Sequence, residues 1–233
     1  MGHNISNFGD IKLQQISEFL SKIEPGENII YRGHADSSWD LIPSIGRHFT
    51  GDWSEVLEYE KKSLDDFKKR SIPYLKHKPT TDIEWLCLMQ HHGCATRLLD
   101  FTSNPLIALF FATDFPFDGD GEVILATYGR SYENVSDENL FERTHSFAYH
   151  PPHITDRIVG QSGCFVYSKI PNKPLSGKQI QKIRIDESEK IFLRRELDAL
   201  GINHSSLFPG MDGICRDLNE TLTTALFDVE LPF

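Results

Sequence analysis

Nowhere does this chain string together the roughly 18 apolar residues that a membrane-spanning helix needs, so no membrane association is expected. Cysteine is scarce. Cys87, Cys94, Cys164 and Cys215 form no CxxC pair and have no histidine at zinc-ligand spacing, so neither a disulfide framework nor a metal site is expected. The opening MGHNISNFGDIK lacks the basic-then-apolar profile of a signal peptide, and reduced thiols without a leader imply a cytoplasmic protein. MGHNIS does match the loose myristoylation pattern, but that pattern recurs by chance. Basic residues are outnumbered, 24 Lys and Arg against 34 Asp and Glu, for a net charge of −10. That balance excludes broad electrostatic binding to nucleic acid and leaves room only for a local basic groove. The one basic concentration, Lys61, Lys62, Lys68, Lys69 and Arg70, reads first as a solvated helix face. GxGxxG, GxxxxGK, HExxH and GxSxG are all missing, which removes the main support for dehydrogenase, P-loop, zinc-protease and α/β-hydrolase chemistry.

What is present is an ordinary globular composition, 39% hydrophobic and 25% charged, in 233 residues. That length buries a substantial core, and residues 1–233 read as one domain without repeats or linkers. Helical spacing covers residues 10–23, then 54–72 from Ser54 to the residue before Pro73, and a helix from a Thr81–Glu84 capping box to Gly93. A further helix follows Pro105, and another runs from an Asp186–Glu189 cap to Gly201. NIIYRG (28–33), ATRLLD (95–100), EVILATY (122–128) and GCFVYSK (163–169) read as strands, and IQKIRI (180–185) as an edge strand. HADSSWDLIPSIGR reads as a loop pinned by Trp39, Leu41 and Ile45, and DGDG (118–121) as a hairpin-like turn. Residues 130–156 read as a long loop, and SSLFPGMDGICRDL as a loop with a short helix. Strands and helices mix without steady βαβ alternation, which makes α+β the expected class.

Polar residues crowd into QHHGCATRLLDFTSNPLIALFFA, residues 90–112, within an otherwise apolar run. Such groups must be satisfied by one another or by a ligand, so this stretch is the first place to look for function. Three polar islands lie at strand ends. In Tyr31-Arg32-Gly33, a planar guanidinium suits a phosphate or carboxylate, and an internal Arg–Asp salt bridge is the plainer alternative. In the second island, Thr102 and Ser103 precede a helix start that could hold an anion, although ordinary capping accounts for the same hydroxyls. Strand alternation puts Arg97 and Asp100 of that island on opposite faces and leaves Arg97 without an evident partner. In the third, Arg157, Gln161 and Gly163 precede a strand. Gln161 can bind a sugar hydroxyl but cannot act as a general base, and a turn role fits it equally. His91 and His92 point about 100° apart on a helix and do not chelate one metal. Either can act as general acid or base if it faces a cleft.

YRG (31–33), WDLIPSIGR (39–47), the 90–112 stretch, RIVGQSGCFVY (157–167) and LGINHSSLFPGMDGI (200–214) resemble the motifs of the FRG-domain family, over most of the chain. The resemblance implies a bacterial defence or toxin–antitoxin setting, with an antitoxin or chaperone as partner. It also implies a motif order similar to that of ADP-ribosyltransferases. The expected core is then an ADP-ribosyltransferase-like split mixed or antiparallel sheet surrounded by helices, with NAD⁺ as co-substrate. On that likeness Tyr31, Arg32 and Gly33 match the first-strand motif, Asp100, Thr102 and Ser103 the second, and Gln161 the third. Gly163 stands where many such transferases place a glutamate, so Gln161, Asp100 or one of Glu187, Glu189 and Glu196 would have to fill that role. The implied catalytic residues are Arg32, His91, Asp100 and Gln161, and NAD⁺ would contact Tyr31, Arg32, Gly33, Thr102 and Ser103. The target is a macromolecule, RNA or DNA ahead of protein. A nucleotide- or nucleic-acid-processing effector, or a non-catalytic binding module, are the competing readings.

Overall fold

The computed structural model describes residues 13–24, 26–48, 52–75, 77–114, 118–128, 140–153 and 155–230, with side chains to residue 223. MGHNIS and residues 130–139 and 154 of the expected long loop lie outside the described residues. Helix α1 (Gln14–Ser21) turns Ile16 and Phe19 inward. Its cap is remote: the Gln15 and Ile16 amides donate to the Glu196 carboxylate. After Asn28, which takes a positive φ of 60°, the chain enters β1 (Ile29–His34). Leu41 and Ile45 are buried as expected, but Trp39 stays half exposed and lies against the His34 ring. A short helix, α2 (Ser44–His48), sits inside what reads as a loop.

Asp52 rather than Ser54 caps α3 (Trp53–Ser71), accepting the Ser54 amide. The expected capping box of α4 (Asp82–His91) is shifted by one residue. Thr81 accepts the Glu84 amide, while the Glu84 carboxylate accepts the amide of Thr80. Gly93, at φ 84°, closes the helix as expected. Strand β2 (Leu98–Thr102) starts three residues later than ATRLLD suggests. The amides of Arg97 and Leu98 donate to side chains, Glu60 and Thr96, instead of to a neighbouring strand. Asn104 caps α5 (Pro105–Ala112), with proline at its first position.

Strand β3 (Gly121–Thr127) follows DGDG, so that turn leads from α5 into a strand and does not join two strands. The described part of the long aperiodic segment holds a 3₁₀ turn, a short β4 (Phe147–Tyr149) and the start of α6 (Asp156–Gly160). The chain ends with β5 (Gly163–Tyr167), β6 (Ile180–Ile185), α7 (Glu187–Ala199), α8 (His204–Leu207) and α9 (Met211–Glu230). α9 is 20 residues long where the sequence suggests a loop and short helix. None of the described helices is long and apolar enough to cross a membrane.

The strands form one antiparallel sheet in the order β4-β5-β2-β1-β3-β6, in an α+β arrangement. β6 lies at the edge, as its alternation suggests. The ladder is complete within β4-β5-β2 and within β1-β3-β6. Between β1 and β2 it holds only one register pair, Tyr31 with Thr102. The sheet is therefore two three-stranded halves that diverge from a single rung.

Packing fixes that divergence. Tyr31 faces α5 and α7 in a core with Ile107, Phe110, Val123 and Leu193. Each large apolar side chain buried there contributes about 1.5–3 kcal/mol over exposure. A second core, with Leu86, Leu98, Phe147 and Tyr167, lies where α4 covers the other half. A third, including Ile30, Leu99, Phe101, Ile124 and Val166, spans both halves on the opposite face. α5 lies so close to β1 that a Cβ on Gly33 would meet the Ala108 carbonyl at 2.0 Å and the Ala112 amide at 2.5 Å.

Candidate functional site

Alternation along β1 sends Tyr31 and Gly33 toward α5 and sends Arg32 and His34 to the other face. Beyond the Tyr31–Thr102 rung, the Asp100 carbonyl is reached by no strand partner on the β1 side. The Arg32 side chain enters this wedge, and its Nη1 donates to the Asp100 carbonyl at 2.5 Å and lies 3.9 Å from the Asp100 carboxylate. Its Nε donates to His34 Nε2 at 3.0 Å. Nη2 makes no hydrogen bond among the described residues, and the side chain keeps 18% of its exposure. Burial draws the Arg32 pKa below the usual arginine value, and Asp100 offsets part of that fall.

Behind Arg32 the chain of bonds continues into the protein. His34, directly across the ladder from Glu122, lies 3.2 Å from its carboxylate through Nδ1. Glu122 also accepts from Lys182 on the edge strand at 2.9 Å. Burial first, then the charges of Arg32 and Lys182, push the His34 pKa down to about 3, so the ring is neutral at pH 7. On the open side, Gln90 donates to the Asp100 carboxylate at 3.0 Å and accepts from Thr96 at 2.7 Å. The resulting line runs Lys182, Glu122, His34, Arg32, Asp100, Gln90, Thr96, across both halves of the sheet. The Asp100 side chain is its most exposed acid, at 59%.

His91, at the end of α4, lies within electrostatic reach of Asp100, as does Arg157 of α6. Burial, followed by the neighbouring His92 and Arg157, holds the His91 pKa at about 4 against the pull of Asp100. His91 and Arg157 also line a groove of about 750 Å³ that continues to Tyr74 and to the turn before α9.

Arg32 and Asp100 are thus brought into contact, and His91 lies within electrostatic reach of Asp100. Tyr31 and Gly33 are not part of this cluster: the Tyr31 ring is in the core and Gly33 makes room for α5. The Thr102 hydroxyl donates to the Gln161 carbonyl at 2.7 Å and accepts the Asn104 amide at 3.0 Å. Ser103 donates to the Ser162 carbonyl through both its amide, at 3.0 Å, and its hydroxyl, at 3.4 Å. The Gln161 side chain donates to the Leu207 carbonyl at 3.1 Å, tying α6 to α8. Thr102 and Ser103 weld the turn before α5 to the turn before β5, and their hydroxyls and the Gln161 side-chain N–H group are engaged in these structural bonds. Of the glutamates weighed in place of Gly163, Glu196 is the cap of α1, and none of Glu187, Glu189 and Glu196 is hydrogen-bonded to Arg32 or Asp100 among the described residues.

Arg97 has a structural position. It is 1% exposed and grips Glu60 of α3 through Nε at 2.8 Å and Nη2 at 2.5 Å, while Nη1 reaches the Tyr167 hydroxyl at 2.8 Å. Sequence reasoning missed His34, Glu122, Lys182 and Gln90. His34 was signalled by its spacing of two from Arg32, whereas Glu122 and Lys182 depend on strand register. Among the described residues no group of three or more His, Cys, Asp or Glu side chains is placed to hold a metal ion.

The fold and site define an α+β domain with a divided antiparallel sheet and an arginine-centred polar cluster at the division. Residues 27–120 match the model of the FRG domain. The match contains Arg32, His34, Gln90, His91 and Asp100, and it stops just before Glu122. No curated protein and no solved structure matches the chain.

Proposed function

We propose that the chain is a toxin-type ADP-ribosyltransferase that consumes NAD⁺ to modify a macromolecule. The observation that carries this reading is the Arg32 guanidinium, held in the sheet division by His34 and the Asp100 carbonyl with Nη2 left for a ligand oxygen. A fixed, partly desolvated arginine suits a pyrophosphate, which accepts two parallel hydrogen bonds. NAD⁺ supplies a nicotinamide leaving group and positive charge at the ribose as that group departs. Asp100, exposed and oriented by Gln90, is the carboxylate placed to face such charge and to accept from ribose hydroxyls. It takes the part expected of the glutamate that Gly163 replaces. His91, neutral above about pH 4, can accept the proton of the incoming nucleophile. The four cysteines are free thiols, as suits a reducing compartment, and we place the reaction in the cytoplasm.

The test is nicotinamide release from NAD⁺ by the purified protein, with Asp100→Asn as the diagnostic variant. Asp100 is exposed enough that the asparagine variant is expected to melt like the parent while losing at least about a hundredfold in rate. A parent protein that releases no nicotinamide, alone or with lysate, overturns the proposal.

A further inference from the structure

We propose that the groove beside Asp100 binds single-stranded nucleic acid and presents it as the acceptor of the transfer. The acceptor role rests on the transferase reading above; the binding does not.

The groove lies among the end of α4, the 3₁₀ turn Ile72–Tyr74, α6 and the turn between α8 and α9, and is about 750 Å³ in volume. Its walls carry Arg157 and Arg216 beside Asp156 and Asp212, so the groove is balanced in charge where the chain as a whole is acidic. On a chain of net charge −10, Arg157 of α6 and Arg216 of α9 converge over one ring, Phe208, at 4.6 and 5.2 Å. Neither makes an ion pair within 4 Å among the described residues. Two guanidiniums stacked on one ring without such a pair keep donors for a phosphodiester, which each can fork.

Flat rings accompany the cations. Tyr74 stands at the lip with 86% of its surface exposed, and His91 and His92 present an edge-to-face pair with centroids 4.9 Å apart. Cations interleaved with exposed rings form the pattern that tracks a single strand, phosphates on the arginines and bases on the rings. An acidic peptide would use the arginines but has nothing to place on Tyr74. A duplex keeps its base faces stacked inside and unavailable to the rings. The groove also shares His91 with the proposed reaction centre, so a bound strand runs past the residue assigned to accept the nucleophile's proton.

The experiment is fluorescence anisotropy of labelled DNA and RNA single strands of about a dozen nucleotides, a duplex and a poly-glutamate peptide, with the full chain. The two variants, Arg216→Glu and Tyr74→Ala, lie on the groove wall away from Asp100. Binding of a single strand is expected with a salt slope of about −1.4, two phosphates at about −0.7 each. Arg216→Glu is expected to weaken it at least about tenfold, and Tyr74→Ala about fivefold or more. Both variants keep the nicotinamide release measured without acceptor. ADP-ribose label on the strand itself, from NAD⁺, completes the case. Failure of both DNA and RNA strands to bind, binding indifferent to both variants, or label appearing on protein instead overturns the inference. Binding intact with no nicotinamide release supports the groove and overturns the transferase reading alone.

Discussion

Arg32 donates from Nε to His34 Nε2, and that bond decides which nitrogen of the histidine carries the proton. Arginine has no acceptor, so Nε2 is bare and Nδ1 holds the hydrogen that reaches Glu122. His34 therefore orients Arg32 from within the sheet. His34→Ala removes the acceptor and leaves Glu122 short of a donor in a buried site. The expected result is a loss of about 1–3 kcal/mol in urea unfolding. Turnover is expected to fall up to about a hundredfold through misplacement of Arg32. His34→Asn, which can donate and accept, is expected to recover part of the rate, and an equal loss in both variants would remove the orienting role.

Thr102 and Gln161 provide the opposite case. Their polar atoms join α6, α8 and the turn before α5, so Thr102→Val and Gln161→Ala should each lower stability by about 1–3 kcal/mol. Nicotinamide release per folded molecule should stay near that of the parent. A large drop in rate without a drop in melting temperature would return them to the active centre.

Glu60 is 1% exposed and has Arg97 as its partner. Removing one member of a buried pair strands the other, so Glu60→Ala is expected to cost about 3–5 kcal/mol. The double variant Glu60→Met with Arg97→Met should recover most of that loss, as apolar replacements of buried pairs commonly do. Denaturant midpoints of the single and double variants decide the point.

Gly33→Ala tests the approach of α5. The added methyl would overlap the Ala108 carbonyl, which is backbone and cannot swing aside. The helix must shift against its core, at a cost of about 1–3 kcal/mol or more. Thermal unfolding measures the loss, and a variant as stable as the parent would contradict the packing described.

The pH dependence follows from two depressed histidines. His34 titrates near 3 when folded and near its ordinary value when unfolded, so the unfolded chain binds more protons in between. Stability is then full above about pH 6.5 and declines as pH falls, with His34 contributing at most about 1.4 kcal/mol per unit. In His34→Asn this acid decline should flatten. His91 predicts a separate acid limb in turnover near pH 4, absent from His91→Ala.

Much of the frame was legible because its signals are local. β-branched and aromatic runs marked β1, β3 and β5, and Asn104-Pro105 marked the start of α5. α9 carries Met211, Ile214, Leu218 and Leu222 at helical spacing, but Gly213 interrupts its first turn, so the segment reads only as a short helix; the stripe itself is exposed and not part of the core. β4 is too short to carry a pattern. In the site, Arg32 and Asp100 stood out as polar residues in apolar surroundings. The partner of Arg97 lies 37 residues earlier on α3, and Glu122 meets His34 only through strand register. Neither pairing leaves a trace in local sequence. Thr102, Ser103 and Gln161 were legible as residue types and not as roles, because a hydroxyl reads alike whether it serves a ligand or a backbone carbonyl.

The solitary Tyr31–Thr102 rung has an evolutionary corollary. Past that rung, the mouth between the strands is shaped by the side chains of Arg32, Gln90 and Asp100 rather than by a backbone ladder. Substitutions at these positions can reshape what enters while every other strand pairing is left in register. A lineage built on this frame can vary these side chains by point mutation while the strand ladders stay intact.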